Sequence, residues 1–212
     1  MKGKRISSGW RPSAPIASAK PSLEPSDRDP FGAPPNAVTP RFALRAATDD
    51  LHRELDGLLA HLDLGDASDY RRFLMFQGRT VPAVERALES AGVAEWIEGW
   101  RPRSSAIEAD LKAMNAPMPA SVAPPVLHGA GQILGMAYVL EGSRLGARVL
   151  RTQVGNGFPV SFLGEEVPHV PWPTFVALLD RLIYSDELLG EAKDAARRCF
   201  ALFLNVAHEA GT

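Results

Sequence analysis

The sequence predicts an all-α fold, a single-domain bundle of several helices. Apolar residues recur at three- and four-residue steps in successive stretches after Phe42, and no stretch alternates as a half-buried strand would. There is no internal repeat and no coiled-coil heptad run. Hydrophobic residues make up 45% and charged residues 23% of the 212 residues, which is ordinary for a globular protein. We therefore expect one helical domain over residues 41–209.

The first 40 residues have a different composition. They hold eight of the 18 prolines and many Ser and Ala residues, with no periodic apolar face that could pack. We predict that residues 1–40 form a disordered tail. Its scattered basic residues could contact an acidic partner, but we favour a solvated extension and assign the tail no function.

Charge and cysteine content exclude several classes of protein. A formal net charge of −2 gives no field for holding nucleic acid. The single cysteine, Cys199, permits neither an internal disulfide nor a multi-cysteine metal site, which favours a reducing cytoplasm. No apolar run approaches the roughly 18 residues of a membrane span, and no secretory signal is present. We expect a soluble cytoplasmic protein.

The first half of the domain is expected to contain three helices. A leucine-rich stripe predicts a helix over residues 41–62, with Thr39 as its N-cap and Pro40 in the first turn. A second helix begins near Ser68, and Pro82 is expected to bend it or to end its first half. A third begins at Ser105, whose spacing to a glutamate three residues later matches a capping box.

The second half is expected to contain three more helices. A long one over residues 126–151 carries five glycines, each costing about 1 kcal/mol against alanine, so a compensating reason for them is expected. Residues 155–173 have no period and predict an irregular crossover. Thr174 and Ser185 then have the character of caps for the last two helices.

His52 is the first candidate for chemistry. Helical rotation places it on a face with Thr48 and Leu55, at the border of the apolar stripe. An imidazole among leucines is kept neutral, the form that an iron ligand requires. A packed or surface histidine has the same spacing, so the pattern alone leaves both interpretations open.

Gly142 and Gly146 form the second candidate. Being four residues apart, they leave a bare patch on one helical face, where a flat group can approach the main chain. The same spacing is typical of a close crossing between two helices, which is the more common use of such a pair. Spacing alone does not separate these two interpretations.

Taken together, the two stretches resemble a known family. Residues 44–56 read LRAATDDLHRELD, and residues 138–147 read YVLEGSRLGA. This combination resembles the bacterial haem oxygenases, and in particular the branch found beside bacteriophytochromes. The resemblance covers about residues 41–208 and is most specific at the ThrXXXHis pair and the GluGlySerXLeuGly run.

The resemblance implies a haem-oxygenase-like bundle in which haem lies between a proximal and a kinked distal helix. His52 would be the iron ligand, with Thr48 one turn before it. Gly142 and Gly146 would let the distal main chain lie against the porphyrin, so that activated oxygen is directed along the haem plane. The Ser143 hydroxyl, with ordered water, would supply protons gently.

Other contacts with haem follow from the resemblance only in part. Arg45, seven residues before His52, and Tyr138 match residues that reach the haem propionates, although Arg45 could equally be a solvated arginine. Phe200 is either a pocket-lining residue or simply core. Arg144 stands where a smaller polar residue is frequent in the family, and Ala147 where many relatives have a glycine.

Arg144 belongs to a basic stripe along one side of the long helix. Arg148 and Arg151 follow it at helical spacing. The stripe would either reach the propionates, receive an acidic electron donor such as ferredoxin, or remain a solvated face. The sequence does not distinguish these uses.

The function that the resemblance implies is oxidative cleavage of haem to biliverdin, ferrous iron and carbon monoxide, with haem as both substrate and cofactor. Reducing equivalents would come from a donor such as ferredoxin with its reductase, and a bacteriophytochrome could receive the biliverdin. A non-catalytic haem carrier or sensor on the same fold is the alternative. A thiaminase-like or quinone-cofactor-synthesis relative without haem is a third hypothesis.

Overall fold

The computed structural model describes residues 39–164 and 170–209, and every regular element in these ranges is an α-helix. The predicted all-α class is confirmed. The predicted tail, residues 1–40, lies outside the described residues except for its last two. The helices are α1 (Pro40–Leu59), α2 (Ala67–Ser90), α3 (Val93–Trp96), α4 (Ser104–Ala113), α5 (Gly129–Arg151), α6 (Trp172–Leu182) and α7 (Asp186–Glu209).

The last helix organises the bundle. Helix α7 packs against α1, α2 and α5, and α4 packs on α2. Its buried face is made of small residues and aromatic residues, which lets neighbouring helices approach closely while still filling the core. The buried residues of α7 are Ala192, Ala195, Ala196, Cys199, Phe200, Phe203, Leu204, Val206 and Ala207.

Helix α1 runs along α7 in the same direction. Asp50 of α1 pairs with Arg197 of α7, with 2.9 Å between Oδ1 and Nη1. Four residues later in α1, Glu54 Oε1 lies 3.5 Å from His208 Nε2, further along α7. As α1 advances, its partners on α7 advance as well.

Helix α5 crosses α7 with its main chain almost touching. A Cβ placed on Gly135 would lie 2.0 Å from the carbonyl oxygen of Ala192, and one on Gly131 would lie 2.9 Å from that of Leu188. Side chains at these two positions are excluded by the neighbouring backbone. The two contacts also advance together along both helices, so α5 follows α7 in the same direction as α1 does.

Two predicted helix boundaries in the first half need correction. Helix α1 ends at Leu59, before the predicted residue 62, and the Thr39 hydroxyl makes no capping hydrogen bond. Helix α2 continues through Pro82, so the proline does not end it. Val81 and Val84, on either side of that proline, are fully buried, and this packing compensates for the backbone hydrogen bond that proline cannot donate.

The predicted cap of α4 is also wrong. The helix begins at Ser104, and its first peptide groups are held from α2 rather than by Ser105. The buried carboxylate of Glu85 accepts hydrogen bonds from the peptide N–H of Arg103 at 2.7 Å and of Ser104 at 3.1 Å. A distant carboxylate therefore replaces the local capping box.

The later elements agree better with the sequence. Helix α5 begins at Gly129, three residues after the predicted start, and α6 begins at Trp172 instead of after Thr174. The Ser185 cap of α7 is confirmed, because its hydroxyl accepts a hydrogen bond from the Leu188 peptide at 3.2 Å. The four-residue helix α3 was not predicted.

Candidate functional site

The candidate site lies where the C-terminal half of α5 and one face of α1 border α7. On α1, Arg45 and His52 are seven residues apart, which is two helical turns, so they share a face and are separated by about 10 Å along the axis. On α5, Tyr138, Gly142 and Gly146 follow each other at one-turn intervals. Both sets of residues were predicted from the sequence.

His52 is exposed, with 58% of its side chain accessible, and it is oriented by two neighbours. Its Nδ1 lies 2.9 Å from the Asp56 carboxylate, one turn later in α1. Its ring centroid lies 5.5 Å from that of Phe200 on α7. The carboxylate partner on Nδ1 leaves Nε2 as the nitrogen that can bind a metal, an arrangement common among metal-ligating histidines.

The residues around His52 are apolar on the side that faces α7. Phe200 is buried, and Leu51 and Leu55 are half-buried against the core. Thr48 is also buried, and its hydroxyl donates to the Leu44 carbonyl at 2.9 Å. That hydroxyl is therefore engaged within α1 itself.

The α5 glycines at the site face free space. A Cβ placed on Gly146 would meet no atom of residues 39–164 or 170–209 within 4 Å. One placed on Gly142 would meet only the Trp172 ring, at 3.8 Å, which is an ordinary van der Waals contact. Leu145 and Val149, large apolar residues beside Gly146, are exposed at 42% and 63%. This half of α5 therefore presents bare main chain and apolar side chains, with open space at the Gly146 Cβ position as far as the described residues extend.

The close helix crossing that a glycine pair also predicts occurs elsewhere on the same helix. It involves Gly131 and Gly135, whose added Cβ atoms would collide with the α7 backbone. Helix geometry places all four glycines within about 60° on one face of α5. This face of α5 thus packs on α7 near the N-terminus of α5 and is not packed on α7 near the C-terminus of α5.

Gly142 on α5 and His52 on α1 lie beside the same stretch of α7. Gly142 follows Gly135 by seven residues, and residue 199 follows Ala192 by the same number, so equal helical rises bring Gly142 to about the level of residues 199 and 200. His52 lies beside Phe200, at the same level. The bare main chain and the imidazole therefore border the same stretch of α7.

Two arginines and a tyrosine gather at one end of the site. The Tyr138 ring lies 5.9 Å from that of Trp172, and burial raises the pKa of the tyrosine, while the nearby charges of Arg45 and Arg41 oppose that rise. Two guanidinium groups beside a hydroxyl form a suitable set of donors for carboxylates. Arg41 and Trp172 were not identified from the sequence. The one-turn spacing of Arg41 from Arg45 was a signal that could have identified it.

Ser143 and Arg144 both have protein partners, and only Ser143, about 60° from Gly146 in helical rotation, lies at the edge of the glycine face. The Ser143 hydroxyl donates to the Leu140 carbonyl at 2.6 Å and accepts a hydrogen bond from Arg103. Arg144 Nε lies 3.0 Å from the Glu141 carboxylate, with both side chains at most 8% exposed. Arg144 lies on the side of α5 away from Gly142 and Gly146, about 160° from each. Its predicted haem contact gains no support from this position and stays a prediction.

Ala147 does not obstruct the open face. It is buried, on a side of α5 turned about 100° away from Gly146. The alanine that departs from the family pattern therefore packs into the core. Its methyl group leaves the bare main chain accessible.

The site suits a planar ligand whose own atoms already coordinate a metal ion. Within residues 39–164 and 170–209 no three His, Cys, Asp or Glu side chains gather around a common point, so a bare ion has no cage there. A planar tetrapyrrole needs only one axial imidazole from the chain. In the same described ranges no helix is long and apolar enough to cross a bilayer.

Comparison with known proteins points in the same direction. A haem oxygenase of Xanthomonas campestris pv. campestris (strain 8004) is 32% identical over 147 residues, covering 65% of this chain and 88% of the relative. The NO- and CO-bound haem oxygenase of Neisseria meningitidis superposes with a TM-score of 0.68 at 25% identity, covering 82% of this chain and 92% of that structure. No protein-family model matches the chain.

Proposed function

The chain belongs to the haem oxygenase family and degrades haem, and from that premise we propose that His52 binds the haem iron while the main chain at Gly142 and Gly146 lies against the opposite face. The chain is thus an enzyme for which haem is both substrate and prosthetic group. Biliverdin, ferrous iron and carbon monoxide are the products that the family implies. Bound haem supplies an iron at which oxygen is activated against a carbon of the same porphyrin.

The assignment of His52 and the two glycines to opposite faces of haem rests on one observation. Among the described residues none would come within 4 Å of a Cβ on Gly146, at the level where His52 borders α7, although two other glycines on the same helical face are pressed onto that helix. An open glycine inside a helix costs about 1 kcal/mol of helix stability. A flat group lying against the main chain is a use for that glycine that packing does not provide.

His52 is suited to a single axial bond. Asp56 Oδ2 lies 2.9 Å from Nδ1, and a carboxylate in this position orients the ring and increases the donor strength of Nε2. Phe200 contacts the ring from α7 and restricts its rotation. Because the imidazole is exposed at the border of an apolar surface, it is accessible to a group arriving from solvent.

The polar end of the site is suited to the haem propionates. Arg45 and Arg41 supply permanent positive charges close to Tyr138. Guanidinium groups bind carboxylates with two parallel hydrogen bonds, which fixes direction as well as distance. We therefore assign these three residues the role of holding the propionates and so setting the in-plane rotation of the substrate.

Ser143 is suited to holding water rather than giving up its own proton. Its hydroxyl proton is directed at the Leu140 carbonyl, and one of its lone pairs accepts from Arg103. The remaining lone pair can accept from one water molecule. Proton delivery at the glycine face would then pass through ordered water, without a strong acid at that face.

The test is a hemin titration of the wild type beside His52→Ala and His61→Ala, a matched exposed histidine after α1. Wild type and His61→Ala are expected to give the same saturable Soret band and to form biliverdin under air with ascorbate or with ferredoxin and its reductase. His52→Ala is expected to lose the histidine-ligand spectrum and most turnover, and added imidazole is expected to restore the spectrum. An unchanged spectrum in His52→Ala would rule out the axial assignment.

We further propose the bacteriophytochrome-associated branch, a ferredoxin-type electron donor and a cytoplasmic location. The GluGlySerXLeuGly run supports the assignment to this branch. The exposed Arg148 and Arg151 at the end of α5 support a ferredoxin-type donor, because their positive charges complement an acidic protein surface. The lone Cys199 is fully buried, and burial raises the pKa of its thiol, so it is an unreactive core residue that is compatible with a reducing compartment. Turnover in the presence of an apo-bacteriophytochrome, followed by its far-red absorption, tests the transfer of biliverdin.

A further inference from the structure

A chain of polar contacts, buried at Glu85 and Arg103 and exposed at Ser143, connects α2 to the bare half of α5. It consists of Glu85 on α2, Arg103 just before α4, and Ser143 on α5, next to Gly142. None of the three lies among the iron ligand or the proposed propionate-binding residues. Polar groups are seldom buried without a specific role, because an unsatisfied one costs about 1 to 3 kcal/mol.

Glu85 fixes the backbone at the base of this chain. Its carboxylate is 1% exposed and accepts hydrogen bonds from the peptides of Arg103 and Ser104. Burial raises the pKa of Glu85, while those two peptide groups and the positive charge of Arg103 oppose the rise. The main chain from which the Arg103 side chain extends is thereby held firmly to α2.

Arg103 is held along its side chain as well. It is 7% exposed, and its guanidinium carbon lies 4.6 Å from the centroid of the Phe162 ring, in cation–π geometry. From there its Nη2 donates to the Ser143 hydroxyl. The guanidinium is planar, permanently charged and unable to accept a hydrogen bond, so Ser143 must be the acceptor.

We propose, resting on the function proposed above, that Arg103 is a positioning residue for the haem-facing half of α5. By donating to Ser143 it directs the serine proton to the Leu140 carbonyl, and it fixes the rotation of the helix at Gly142. The serine lone pair that remains is the one that can hold a water molecule at the glycine face. Arg103 thereby determines how that face donates and accepts hydrogen bonds.

The first test uses the apoprotein and a double-mutant cycle between Arg103→Met and Ser143→Ala. Each single variant is expected to raise the equilibrium constant for unfolding, measured in urea. The factor by which the double variant changes this equilibrium constant is expected to be at least about threefold smaller than the product of the two single factors. Arg101→Met, which removes an exposed arginine two residues away, is the control and is expected to combine with Ser143→Ala multiplicatively.

The second test uses the hemin complex and separates positioning from stability alone. Ser143→Ala and Arg103→Met are both expected to shift the pH midpoint of the ferric visible spectrum, and the double variant is expected to match Ser143→Ala. Arg103→Lys, which keeps a charged donor, is expected to restore most of the wild-type midpoint. Ser143 is exposed, so Ser143→Ala is expected to fold even if Arg103→Met does not.

Two results would overturn the proposal: multiplicative effects in the urea cycle, or a pH midpoint that Ser143→Ala leaves unmoved. If wild-type protein bound no hemin, the proposed function would fail at that step. The urea cycle would still report whether Arg103 and Ser143 are coupled. The two failures are therefore distinguishable.

Discussion

The two halves of α5 use the same residue pattern for opposite purposes. Gly131 and Gly135 are four residues apart and are pressed onto the α7 main chain, where no Cβ fits. Gly142 and Gly146 have the same spacing on the same face, and a Cβ on Gly146 would meet no atom of the described residues within 4 Å. The first pair is required by packing within the chain, and the second pair is not.

The difference separates two reasons for which a helix keeps glycine. A glycine at a crossing is maintained by overlap with a neighbouring helix, so replacing it destabilises the fold. A glycine on a free face weakens the helix, so replacing it should stabilise the fold and damage only what binds there. Substitutions in the two halves of α5 should therefore have opposite effects on stability.

The largest expected effect is that of Gly135→Ala. Its methyl group would lie 2.0 Å from the Ala192 carbonyl oxygen, and backbone atoms cannot move aside as a flexible side chain can. We expect a loss of about 2 kcal/mol in the free energy of unfolding, measured in urea, from overpacking. A stability equal to or above that of the wild type would show that α5 and α7 do not cross at this glycine.

Next in size is the effect of Gly146→Leu on hemin affinity. The side chain would extend into the space that the porphyrin is proposed to fill, so we expect hemin to bind at least about tenfold more weakly, which is about 1.4 kcal/mol. Because the Cβ has open space, urea unfolding of the apoprotein should stay within about 1 kcal/mol of wild type. Unchanged hemin affinity would place the ligand elsewhere.

Gly146→Ala adds a single methyl group at the open position of α5. We expect the apoprotein to gain about 0.5 to 1 kcal/mol from helix propensity, the opposite sign to Gly135→Ala. Gly190→Ala is the matched control, since its Cβ on α7 also has nothing within 4 Å. Both variants should gain stability, and only Gly146→Ala should lose hemin affinity. Equal hemin binding by the two variants would contradict a role for Gly146.

The smallest effect concerns Glu85, which helps to hold the free half of α5 through Arg103. Since burial raises its pKa above the usual 4.5, the folded state binds a proton more tightly than the unfolded state does. Stability from this group is thus present below pH 4.5 and is lost as pH rises through the folded pKa. Measured by urea unfolding, the stability difference between wild type and Glu85→Gln should decline over that window. A difference that grows with pH would contradict it.

The sequence predicted the helices and the two key residue sets because both depend on local spacing. The α1 stripe, the Ser185 cap and the glycine pair are all visible within a few residues. The extents of the helices were less predictable wherever tertiary contacts decide them. Pro82 is tolerated because its surroundings are buried, and the N-terminus of α4 is capped by Glu85 from another helix.

Long-range contacts in the site were equally invisible to the sequence. Nothing local indicates that Arg103 reaches Ser143, forty residues away, or that Trp172 lies against Gly142. Arg144 was predicted to reach haem as one possible use of its basic stripe, and its pairing with Glu141 on the same helix is a contact that the sequence analysis did not predict. Helical rotation places Arg144 about 160° from both glycines.

A crystal structure of the hemin complex would show whether His52 and the two glycines lie on opposite faces of the porphyrin. We expect the iron bonded to His52 Nε2, with the porphyrin in van der Waals contact with the main chain of Gly142 and Gly146 and with Gly135 still packed on α7. Iron held by a different side chain, or a porphyrin seated away from these two glycines, would contradict the account.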